Sequence, residues 1–81
     1  MPNNLFPRIT LVLSHLKSLR SRQSKLDNQI ALEERRLAPN AQQLHWLQVR
    51  RLMVNEQIQR HSEILQNLKE ALLHGSARKV A

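Results

Sequence analysis

The sequence predicts an all-α protein: a two-helix antiparallel coiled-coil hairpin that assembles into a homodimeric helical bundle. Three observations carry that expectation. Apolar residues recur with strict 3-4 spacing in two long runs. A single short segment, Ala38-Pro39-Asn40, stands between the runs. The composition favours helix, with one glycine (Gly75), no cysteine and no tyrosine in 81 residues.

The first run is Ile9, Val12, Leu16, Leu19, Gln23, Leu26, Ile30, Glu33 and Leu37. Seven of these nine positions are apolar, which defines a seam for one helix over residues 8–37. Residues 1–7, containing Pro2 and Pro7, read as an N-terminal lead-in, with Pro7 opening the helix. Proline lacks an amide donor and clashes with the preceding turn, so Pro39 ends the run. It also drives Ala38 away from helical angles. The turn is therefore placed at residues 38–40.

Asn40 then suits an N-cap, and Gln43 follows at the spacing of a capping box. The second seam is Leu44, Leu47, Arg51, Val54, Ile58, His61, Leu65, Leu68 and Leu72, again seven apolar of nine. It predicts a helix over residues 41–74, closed by Gly75. Residues 8–75 form the hairpin in this reading, and residues 76–81 a basic flexible tail. A short connection favours antiparallel neighbours. Folding about residues 40–41 brings Leu37 to Leu44, Ile30 to Arg51 and Leu26 to Val54. It also sets Glu33 within about a turn of Arg51, and Gln23 within about a turn of His61. These polar breaks serve either as register pins or as exposed edges of the seam.

The hairpin seam rests on Leu16, Leu19, Leu26, Ile30, Leu47, Val54, Ile58 and Leu65. Apolar side chains off that seam mark contacts. Trp46, Val49, Leu52 and Met53 lie together near the start of the second helix and form the candidate interaction patch. Trp46 is its proposed anchor, the other role for it being to cover the loop. A second copy is the simplest partner, and an unidentified protein partner is the other. Arg8, Arg22 and Arg36 share one heptad position, with His15 and Gln29 between them. Glu56, Glu63 and Glu70 recur every seven residues on the second helix. Such stripes suit the orientation of hairpins in an oligomer.

The chemistry of enzymes is missing from the pattern. No two of His15, His45, His61 and His74 stand three or four apart, and no cysteine can assist them, so no metal is expected. One glycine cannot build a phosphate-binding loop. No cofactor and no catalytic residue is assigned. No apolar run reaches the ~18 residues of a membrane span. The net charge of +7 keeps nucleic acid open as an alternative partner, with Lys17, Arg20, Arg22 and Lys25 as phosphate contacts. Base-stacking aromatics are nearly absent, which leaves sequence-specific readout unsupported.

The central stretch, residues 16–62, resembles the YdcH-like family of small bacterial proteins, a domain of unknown function. The resemblance rests on Leu26, Asp27 and Ile30, on Glu33 and Glu34, and on the break at Pro39. Leu44 and Leu47, then Arg50, Arg51, Leu52, Glu56 and Ile58, complete it. Gln23 stands where the family often has histidine. The resemblance implies a helical hairpin, a bacterial cytoplasmic location and self-association. It supplies no substrate, cofactor or catalytic residue.

Overall fold

A computed structural model describes residues 5–80, with side chains through residue 74. Two helices, α1 (Leu5–Glu34) and α2 (Ala41–Val80), pack against each other, and no strand occurs among the described residues. The pair forms a rod of 65 × 18 × 13 Å with a radius of gyration of 18.6 Å. A compact chain of this length would have a radius near 12 Å. The reason is geometric: a 40-residue helix is ~60 Å long.

Both helices depart from their expected ends. Residues 5–7 of the expected lead-in belong to α1, and residues 1–4 lie outside the described residues. Pro7 is the third residue of α1, where its missing amide would have had no intrahelical acceptor. At the other end α1 stops at Glu34 instead of Leu37. The Arg35 amide donates to Ala31 at 3.2 Å and to Leu32 at 3.3 Å, and the Arg36 amide to Glu33 at 3.2 Å. These contacts tighten the last turn toward 3₁₀ geometry before Pro39 closes off any continuation. The connection is thus residues 35–40, and Leu37, expected in the seam, is fully exposed within it. α2 passes Gly75 and runs to Val80, where a stop was expected, and residue 81 of the expected tail lies outside the described residues. One glycine costs a helix about 1 kcal/mol but keeps both backbone hydrogen-bonding groups.

The reversal is organised by one carboxylate. Glu33 is buried, at 7 % exposure. Its Oε2 accepts the Asn40 backbone amide at 2.8 Å, and Arg36 Nη1 donates to its Oε1 at 3.0 Å and its Oε2 at 3.3 Å. Asn40 in turn caps α2: its Oδ1 accepts the Gln43 amide at 3.1 Å, and its carbonyl accepts the Leu44 amide at 2.9 Å. In a capping box the Asn40 amide would go to the Gln43 side chain. Glu33 takes that donor instead, reaching across from the other helix.

The interhelical contacts correct the expected register. Gln23 Nε2 donates to Asn55 Oδ1 at 2.6 Å, and Arg51 Nε donates to Asp27 Oδ1 at 2.8 Å. Four residues forward on α1 match four back on α2, as antiparallel packing requires. Counting on from these pairs sets Ile30 level with Leu47–Gln48, not with Arg51. The fold-back point lies near residue 39, earlier than residues 40–41, because the longer connection begins at Arg35. Neither Glu33–Arg51 nor Gln23–His61 forms; Glu33 serves the loop, and His61 stacks on His15 with ring centroids 5.6 Å apart.

Six apolar side chains are buried: Leu16, Leu19, Leu26, Ile30, Leu47 and Val54. Leu19, Leu26, Ile30, Leu47 and Val54 form one cluster, with Leu44 and Ile58 packed on it. Leu65 of the seam is half-buried. The core therefore sits in the half of the rod nearer the loop.

Two predictions follow from this arrangement. Leu47→Ala should cost about 2–5 kcal/mol, whereas Leu37→Ala should stay within about 0.5 kcal/mol of wild type; urea unfolding followed by circular dichroism separates them. The Asn40 amide, then the Arg36 guanidinium, hold the Glu33 carboxyl below its ordinary pKa. A depressed carboxylate contributes stability above its unfolded pKa and loses it as pH falls through the lower folded pKa. Glu33→Gln should lower Tm at neutral pH and flatten the Tm loss on acidification below the ordinary carboxylate range. Equal acid limbs in the two proteins would contradict the role given to Glu33.

Candidate functional site

The seam occupies one stripe of each helix and leaves the rest of both surfaces open. Trp46, Leu52 and Met53 are exposed at 57 %, 58 % and 58 %. Val49, the fourth member of the expected patch, is half-buried. They occupy the first turns of α2 because the Asn40 cap starts the helix at Ala41. Among the described residues the close aromatic neighbour of Trp46 is His45, edge-on at 6.2 Å between centroids. Trp46 thus keeps more than half of its surface in solvent. Burial of an indole gains far more than burial of a small residue, so an indole left out is a ready contact.

On one side of the hairpin the two helices enclose an open groove of about 460 Å³. Its polar lining is Arg22, Lys25 and Gln29 from α1, with Arg50 and Gln57 from α2. Leu26, Val54 and Met53 form its apolar part. A second depression of about 370 Å³ shares Gln29 and continues past Leu32 to Arg36 and Gln43 at the loop. No acidic side chain lines the first depression, and the acid of the second, Glu33, is already held by Arg36 and Asn40.

The four cations taken as phosphate contacts separate in three dimensions. Arg22 and Lys25 line the groove, while Lys17 and Arg20 do not. Arg20 shares its heptad position with Asp27, on the side where Arg51 reaches Asp27. Arg50 replaces them as the third groove cation. Its signal in the sequence is three-residue spacing from Met53, which puts both on one side of α2. The apolar patch and the basic cluster also prove to be neighbours, since Met53 belongs to both.

The arrangement offers charge and apolar surface in open depressions. Among the described residues no three His, Cys, Asp or Glu side chains group as metal ligands. Among the same residues no helix is long and apolar enough to cross a membrane. Comparison of the chain with family models, curated proteins and solved structures found no match.

Proposed function

We propose that this chain is a small non-enzymatic interaction protein, a helical hairpin that self-associates into a homodimeric bundle and acts through protein contacts. One observation carries the reading. The chain exposes 6680 Å², against about 5,000 Å² for a compact monomer of its mass. The surplus of about 1,600 Å² for one chain is about twice the roughly 800 Å² that each partner buries in a standard protein–protein interface. Trp46, Val49, Leu52 and Met53 are the proposed contact patch. The resemblance to the YdcH-like family supports the same reading and adds the bacterial cytoplasm as its setting.

A second reading has one specific observation in its favour. Arg22, Lys25 and Arg50 stand around one groove with no acid in its lining, which suits the phosphates of a nucleic acid in a sequence-independent mode. The apolar part of that groove favours a protein occupant over a sugar–phosphate chain.

Sedimentation velocity across a concentration series tests the first reading. It should show a monomer–dimer transition, and Trp46 fluorescence should shift to the blue as the dimer forms. A monomer at high micromolar concentration would sink it. For the second reading, mixed duplex nucleic acid should retain the protein at low salt and release it steeply as salt rises, with Arg50→Glu abolishing retention. Passage of the wild-type protein at low salt removes that reading.

A further inference from the structure

We infer that the second copy docks edge to edge, with the acidic stripe Glu56, Glu63 and Glu70 of one protomer along Arg22, His15 and Arg8 of its partner. This inference rests on the self-association proposed above and names the contact that makes it. Among the described residues the ion pairs are Arg36–Glu33 and Arg51–Asp27. None of Arg8, Arg22, Glu56, Glu63 and Glu70 belongs to either. The acids stand on α2 away from α1: Glu56 and Glu63 border a depression lined otherwise by Gln59 and Arg60, and Glu70 one lined by Asn67, Ala71 and His74. Among the described residues none of these three acids forms an ion pair within the hairpin. Arg22 stands at the rim of the groove on α1.

The two stripes have the same pitch. Arg22, His15 and Arg8 descend by seven residues, and Glu56, Glu63 and Glu70 ascend by seven, about 10.5 Å per step on a helix. An antiparallel setting of α1 against the second copy's α2 places all three pairs together. The same setting, ten residues toward the loop, brings exposed Leu32 level with exposed Trp46. It brings Lys25 level with Met53, and Arg60, which lies between Glu56 and Glu63, level with the small neutral Ser18. A parallel setting would also match the charges, but it separates Leu32 from Trp46. Slipping the antiparallel setting by seven residues loses one charge pair and separates Leu32 from Trp46.

The test is a charge swap read by sedimentation velocity on the full chain. Arg22→Glu and Glu56→Arg should each weaken dimerisation about tenfold or more, and the double variant Arg22→Glu/Glu56→Arg should return to within about threefold of wild type. Wild-type dimer affinity should fall as salt rises. Both residues lie outside the hairpin's own ion pairs, so helicity and monomer Tm should hold, which separates lost docking from lost folding. A dimer whose affinity neither single change moves overturns this interface and leaves self-association standing. Weakening by both single changes without recovery in the double variant also overturns the pairing. A wild-type monomer at every concentration overturns both inferences together.

Discussion

The hairpin depends on the carboxylate of Glu33. A heptad repeat by itself does not say where two helices should meet, because a slip of seven residues restores nearly the same apolar match. The reversal removes that freedom. Glu33 holds the amide that opens α2 and the guanidinium that closes the loop, so the end of one helix and the start of the other are joined through one group. With that point fixed, the polar pairs Asp27–Arg51 and Gln23–Asn55 fall into step behind it. Each of these would be broken by a one-turn slip. The apolar seam supplies attraction, and the polar contacts select one register from several.

The same anchor explains why packing is uneven along the rod. The cluster of Leu19, Leu26, Ile30, Leu47 and Val54 lies within a few turns of the loop. Toward the open end the seam is half-buried at Ile9, Val12, Leu65 and Leu68. Two helices can screen only one stripe of each other, and the screening weakens with distance from the covalent link. Leu11, Leu13, Ile64 and Leu73 remain exposed in that outer half. A small chain of this kind gains its missing burial from a partner more readily than from its own core.

Much of this fold was legible in the sequence because helix periodicity and proline chemistry are local. The two seams, the break between them and the capping role of Asn40 follow from spacing and residue type alone. What spacing does not carry is the depth at which a seam position is used. Glu33 and Leu37 stand on the same apolar stripe, yet the acid is buried and the leucine is in solvent. The inversion follows from hydrogen bonding: the loop offers an amide and a guanidinium to a carboxylate and nothing comparable to an isobutyl group. Arg51 was likewise legible as a seam cation but not as the partner of Asp27, since that pairing depends on where the chain turns. Among the candidate contacts, Trp46 was visible from composition, whereas Arg50 joined Arg22 and Lys25 only once α2 lay beside α1.

Charge then limits how a second hairpin can approach. Of the six acids, Asp27 and Glu33 are used within the hairpin, and Glu56, Glu63 and Glu70 stand on one edge of α2. A symmetric face-to-face contact through the groove would bring Arg22, Lys25 and Arg50 of both copies into one interface, with no acid lining the groove to offset them. Like charges removed from water repel more strongly than they do in it. An edge contact avoids that arrangement and meets cations with acids that form no ion pair within the hairpin among the described residues. For the self-association proposed above, the distribution of charge, more than the net value of +7, therefore bears on which surface would meet a second copy.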